Sequence, residues 1–167
     1  MGGLIAVGLL IAVLTGSACT DADAASPLVH AYDSPEALAE AAVAALVAQD
    51  EAGLASLAVS RDEYETLLWP ELPDARHVTF EFVWGMSYPR TRKARRNQMR
   101  DFEGVSLEVV RVDLGEAKEI YDTFTLHKDS RLWVRDTESG AMGPLPLMDV
   151  LVEMQGAWKF LNFRDDL

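Results

Sequence analysis

His77-Val-Thr-Phe-Glu-Phe-Val-Trp-Gly-Met-Ser-Tyr88 decides the fold, because a helical first half meets a strand-like second half there. Positions 78, 80, 82, 84, 86 and 88 are all apolar or aromatic, and the positions between them are mostly polar or small. A strand sets alternate side chains on one face, whereas a helix scatters those six around its axis. The alternation predicts a strand over 78–88, ended by Pro89.

Upstream, Ser34-Pro-Glu36 is a helix start: a hydroxyl cap, proline at the first helical position and an acid in the first turn. Residues 37–49 are rich in Ala and Leu, with Leu38, Ala42, Ala45 and Leu46 forming one apolar stripe. A second short helix starts at Asp50-Glu51 and carries Leu54 and Leu57. Ser60-Arg-Asp-Glu63 has the form of a capping box, in which hydroxyl and carboxylate each take the other's backbone amide. The helix that follows stops near Trp69, before Pro70 and Pro73.

Downstream, Thr91 to Phe102 is helical in pattern and Gly104 terminates it. Strand-like runs follow at 105–112, 119–127, 131–135, 145–154 and 157–163, with turns around Gly115, Asp129, Gly140 and Gln155-Gly156. Short links between consecutive strands imply an antiparallel sheet. The fold class is therefore α+β, in a single domain over 34–167.

The formal charge is −12, from 27 acidic and 15 basic residues, and this disfavours nucleic acid as a partner. The charge is uneven. No Lys or Arg precedes Arg61, and six basic residues fall within 90–100, where there is no acid. Removing those six leaves nine basic residues against 27 acidic, a net of −18. On a helix, Arg92, Arg96 and Arg100 repeat every fourth residue with Lys93 beside them, while Arg95 lies to the side. This is either a docking face toward an anionic membrane or acidic partner, or a solvated face that offsets the acids elsewhere.

At the N-terminus, Leu4 to Leu14 is an apolar run of signal-peptide length, and Met1 to Ala18 carries no charged side chain. Gly16-Ser-Ala-Cys19 has the form of a bacterial lipobox with Gly16 in place of the usual Leu, which makes 1–18 a signal peptide, Cys19 the lipidated residue and 19–33 a tether. The competing readings are ordinary secretion after Ala22-Asp-Ala24, giving a soluble periplasmic or secreted protein, and an uncleaved anchor. Cys19 is the sole cysteine, so an intramolecular disulfide is excluded.

The order of helices, one strand, a helix and an antiparallel meander closing on Gly156-Ala-Trp-Lys-Phe-Leu161 resembles the nuclear transport factor 2-like superfamily. That cone-shaped α+β fold is shared with cystatin-like lipoprotein domains. The resemblance covers about Ser34 to Arg164 and implies N-terminal helices packed against a curved, mostly antiparallel sheet that leaves a pocket. Isomerases, dehydratases and cyclases share the fold with non-catalytic binding and assembly modules, so the resemblance implies no single activity.

Trp84, Met86 and Tyr88 are candidates for the apolar wall of such a pocket, against the plainer reading that they pack the core. Asp122 is the leading acid/base candidate, because the even positions of Ile120 to Leu126 form an apolar face with this carboxylate at its centre. Burial there would raise its pKa toward that of a general acid or base, with His127 and Asp149 as partners. The alternatives are that Asp122 pairs with Arg111 or Arg135, or that a bulge turns it to water. His30, His77 and His127 are far apart and no thiol lies in the domain, so no metal site is expected. No phosphate-cradling glycine motif or nucleophile elbow occurs and no cofactor is implied. The expectation is an exported, lipid-anchored binding or assembly module for a small apolar ligand or a protein partner, held at the membrane by its N-terminal lipid. The alternative is a small cone-fold enzyme using Asp122.

Overall fold

A computed structural model of the chain describes residues 27–163. The segment expected to be a signal peptide, Cys19 and the first part of the expected tether lie outside the described residues. Helix α1 (Pro35–Val47) starts as its sequence predicts: the Ser34 hydroxyl accepts the Ala37 amide at 3.1 Å, and Leu38, Ala42 and Leu46 are fully buried. Asp50 caps α2 (Glu51–Ser56) through the Gly53 amide at 2.9 Å. Ser60 and Glu63 close the capping box of α3 (Arg61–Glu63), whose path runs on through a π-turn at Tyr64–Leu68. Two short 3-10 turns, Trp69–Glu71 and Pro73–Arg76, then lead to the next helix.

That helix corrects the strand expected over 78–88. Residues from Phe80 onward belong to α4 (Phe80–Asp101), a single 22-residue helix that absorbs Pro89 in its interior. The alternation misleads because the helix has apolar residues on two sides. Phe80 is buried and Trp84 half-buried, yet Phe82 and Met86 are 60% and 52% exposed. Pro89 gives no amide to the Gly85 carbonyl, and both residues are exposed, so that carbonyl is open to solvent. Helix α4 ends as expected before Gly104, which takes φ +74°.

Among the described residues, seven strands follow: β1 (Leu107–Asp113), β2 (Lys118–Ile120), β3 (Thr125–His127), β4 (Arg131–Asp136), β5 (Met142–Leu145), β6 (Met148–Met154) and β7 (Ala157–Phe163). They form two antiparallel sheets, ordered β1-β4-β5 and β2-β3-β6-β7, where the sequence led us to expect one curved sheet. The chain changes sheet three times, at the 114–117 link, at the 128–130 turn and at Pro146-Leu147. The expected strand 119–127 is split by a turn in which the Tyr121 amide donates to the Phe124 carbonyl at 2.9 Å. The α+β class holds, with helices packed on antiparallel sheets.

The main core lies between α1, α2 and the sheets and is built on Leu38, Leu46, Leu54, Leu132, Leu151 and Phe160. A second cluster gathers Leu28, Val59, Leu68, Phe124, Leu126 and Val152. Leu28 is 6% exposed there, so the last residues assigned to the tether, 27–33, pack onto the domain. Two non-strand segments cover the free edge of β7. Tyr32 and Trp158 exchange backbone hydrogen bonds at 3.1 and 2.7 Å, and Val59 donates to the Phe160 carbonyl at 2.8 Å. Covering an edge in this way blocks edge-to-edge association. It also leaves Leu161 and Asn162, beyond the covered stretch, available to line a cavity under α4.

Candidate functional site

The two halves of α4 are held differently. In the C-terminal half, Gln98 Nε2 donates to the Pro146 carbonyl at 2.6 Å, and Gln49 Nε2 donates to the Met99 carbonyl at 2.9 Å. These bonds fix it to the β5–β6 link and to the end of α1. The N-terminal half is held by rings. Phe80 and Trp84 stack with centroids 5.9 Å apart, Trp84 and Tyr88 stack at 5.4 Å, and Tyr64 meets both Phe80 and Trp84 near 6 Å, at 6.2 and 5.9 Å. Aromatic pairs of this geometry add about 0.5–1.5 kcal/mol each beyond their burial. Arg61 lies 5.3 Å from the Phe80 centroid and pairs with Glu81, clamping the start of the helix.

Beneath this half of α4 is a cavity of about 600 Å³, bounded below by α2, α3 and the end of β7. Its volume falls in the range of small-molecule sites, about 300–1,000 Å³. Tyr64, Trp84 and Tyr88 make an aromatic wall, and Ala58, Val59, Val83 and Leu161 add aliphatic surface. Burial, reinforced by the charge of Asp74, pushes the Tyr64 phenol above its ordinary value of 10, so it stays protonated and neutral. Two of the three predicted wall residues, Trp84 and Tyr88, line the cavity. Met86 does not, because it projects from the opposite side of α4.

The polar groups of the cavity are Ser60, Arg61, Ser87, Thr91, Arg95 and Asn162, and none of the lining residues is acidic. Two of these lining residues carry a buried atom with no hydrogen-bond partner among the described residues: Arg95 Nε and Asn162 Oδ1. The other end of the Arg95 guanidinium is engaged, with Nη2 3.3 Å from Glu51 Oε1. A buried donor without a partner costs about 1–3 kcal/mol, and so does a buried acceptor, so these two atoms are an unsatisfied demand beside the cavity. Sequence reasoning missed Tyr64, Arg95 and Asn162. The signal for Arg95 was present: it is the cation that falls off the 92/96/100 stripe, and it continues the inward series Trp84, Ser87 or Tyr88, Thr91, Arg95 at helical spacing.

The acid/base candidates do not assemble. Asp122 is exposed in the turn between β2 and β3, not on a buried face. Its amide is gripped by Glu71 Oε2 at 2.7 Å, while Arg111 and Arg135 pair with Asp113 and Glu108 instead. The three hydrogen bonds from Thr123 and Asp122, led by the Thr123 hydroxyl, hold the Glu71 carboxyl below the usual carboxylate range. His127 is buried, but its partner is Glu153, with Nε2 2.8 Å from Oε2, and its ring tilts against Trp158 at 4.7 Å. Asp149 sits at a register shift in the β6–β7 pairing, between Met148 and Val150. None of the three lines the cavity under α4.

On the outer side of α4, Arg92, Lys93, Arg96 and Arg100 share a shallow groove of about 470 Å³ with Tyr88 and Pro89. Among the described residues, no group of three or more His, Cys, Asp or Glu is placed to hold a metal ion, and no helix is long and apolar enough to cross a membrane. In comparisons with known proteins, no family model, no curated protein and no solved structure matches the chain.

Proposed function

We propose that the chain is a non-catalytic binding module for a small amphipathic ligand, held in the cavity between α4 and the end of β7. The observation that carries this reading is the pair of unpartnered buried atoms, Arg95 Nε and Asn162 Oδ1, on two residues that line one aromatic-walled cavity. Apolar pockets with a few convergent polar groups are where small molecules are bound and oriented. The aromatic wall favours a flat or alkyl body. The polar end favours a head group that offers an acceptor to the Arg95 Nε–H and a donor to Asn162 Oδ1, as a carboxamide or a hydroxy acid does. Two arginines and no acid among the lining residues disfavour a cationic head. The lipobox-like Gly16-Ser-Ala-Cys19 supports an exported, lipid-anchored setting for this module.

The test is a titration of the full chain with a medium-chain carboxamide, the matching carboxylate and the matching amine, read by tryptophan fluorescence and melting temperature. The carboxamide quenches or shifts Trp84 emission and raises the melting temperature, the amine does neither, and both responses vanish in Arg95→Met and Asn162→Leu. Equal responses to all three heads, or responses that survive both substitutions, would overturn the reading.

A further inference from the structure

The outer side of α4 carries a second pattern, independent of the cavity. Phe82, Met86, Pro89, Lys93, Arg96 and Arg100 follow one another at spacings of four, three, four, three and four residues. Such spacing lays side chains along one line of a helix surface. All six are exposed. The line is apolar at its start, where Phe82 is 60% and Met86 52% exposed, and cationic at its end. Arg92 flanks the cationic end and, with Arg90, has no ion-pair partner among the described residues. The local acids offset this charge only in part. Glu51 lies 3.9 Å from Arg96, and Asp101 lies 2.9 Å from Arg100.

A solvated helix face has no need of two large apolar side chains held in water in register with a run of cations. Elsewhere the protein is strongly acidic, so a basic line on one helix marks where an anionic surface can approach without repulsion. Apolar residues in line with Lys and Arg also match the chemistry of a bilayer interface, where hydrocarbon takes the first and lipid phosphates take the second. A shallow groove among Arg92, Lys93, Arg96 and Arg100 gives phosphates a place to settle. We propose that the outer face of α4 docks on an anionic lipid bilayer, with Phe82 and Met86 entering the interface and the Arg92–Arg100 stretch on the headgroups. Charge complementarity and the apolar pair together favour this occupant over an acidic protein.

The test is flotation of the full chain on neutral phosphatidylcholine vesicles and on vesicles with about 30% phosphatidylglycerol, at low salt and at about 0.5 M salt. The quantity read is the gain in binding caused by the anionic lipid, so any attachment through the N-terminal segment is common to both vesicles and cancels. The expected gain is at least ten-fold at low salt. It disappears at high salt and in Arg92→Glu/Arg96→Glu, and it falls at least three-fold in Phe82→Ser/Met86→Ser. Circular dichroism checks that these exposed substitutions leave the helix intact. No gain with anionic lipid, or an equal gain in the charge-reversed variant, overturns the proposal. So does binding of soluble polyglutamate that the serine variants leave unchanged, because that result assigns the face to an acidic protein.

Discussion

Lys159 Nζ stands 2.9 Å from Glu63 Oε2, and both side chains are almost wholly buried. The pair is fully dressed. The Ser60 amide donates to the same carboxylate at 2.7 Å and the Val29 amide at 2.6 Å, while Lys159 also donates to the Val29 carbonyl at 2.8 Å. One carboxylate thus joins the capping box of α3, the incoming segment around Val29 and strand β7. Because β7 forms a wall of the cavity, this pin sets the depth of the site beneath α4. Removing one member of such a pair leaves a buried charge uncompensated. Glu63→Gln and Lys159→Met are each expected to cost about 3–5 kcal/mol in urea or guanidinium unfolding. The double variant Glu63→Gln/Lys159→Met is expected to cost clearly less than the two singles added together, and strict additivity would show that the pair is not coupled.

The same carboxylate makes stability depend on acid. Burial works to raise the Glu63 pKa, and the hydrogen bonds from Ser60, Lys159 and Val29 outweigh it, so in the folded chain it lies below its ordinary value of 4.5. A carboxyl whose folded value is depressed stabilises the fold fully above its unfolded pKa, and that stability is lost as pH falls through the folded value. Unfolding free energy should therefore fall as pH drops below about 4.5, and this part of the slope should be missing in Glu63→Gln. Glu71, Asp113, Glu119 and Asp136 are shifted in the same direction. Glu63→Gln should therefore flatten the acid limb without abolishing it. A variant with the full wild-type slope would remove Glu63 from the account.

Gly115 marks the close approach that lets the chain leave β1 for β2. A Cβ built there would lie 1.9 Å from the Lys128 carbonyl oxygen and 2.9 Å from the Asp129 carbonyl carbon. Backbone rather than a flexible side chain fills the space, so the neighbour cannot yield cheaply. Gly115→Ala is expected to destabilise by at least about 2 kcal/mol, although it is an ordinary turn residue by composition. A melting temperature within a degree or so of wild type would show that the turn can move aside, since about 1 kcal/mol shifts a domain of this size by a few degrees.

Local signals were the legible ones. Ser34, Asp50 and the Ser60–Glu63 box cap the helices that their sequence announces, because a cap is satisfied within three residues. The glycine stop at Gly104 and the final hairpin around Gly156, with φ +77°, are legible for the same reason. What the sequence hid depends on partners far along the chain. The Phe80 stretch reads as a strand until Tyr64 and Trp69 are placed beside it, after which one side of a helix is enough to bury Phe80 and shelter Trp84. Glu119–His127 reads as one strand until Glu71, some fifty residues away, takes the Asp122 and Thr123 amides and holds a turn there. The cavity was half legible. Trp84 and Tyr88 announce an aromatic wall, while Asn162 is an unremarkable strand residue until β7 is seen to pass beneath α4.

The unpartnered atoms of the cavity make a prediction that separates function from stability. A buried polar group retained for packing is satisfied, and its loss costs about 1–3 kcal/mol. Arg95 Nε and Asn162 Oδ1 have no hydrogen-bond partner among the described residues to lose, and the contact of Arg95 with Glu51 is a long pair to a half-exposed carboxylate. Exposed pairs of that kind contribute about 0–1 kcal/mol. Arg95→Met keeps the length of the side chain, and Asn162→Leu keeps its approximate volume while removing the unsatisfied acceptor. Both variants are therefore expected to unfold within about 1 kcal/mol of wild type, with Asn162→Leu on the stable side. Both should lose the carboxamide response. Thermal and denaturant unfolding of the ligand-free variants measure the first effect, and titration measures the second. Losses near 3 kcal/mol would mean that these groups hold the fold together, and the cavity would then be a packing feature rather than a binding site.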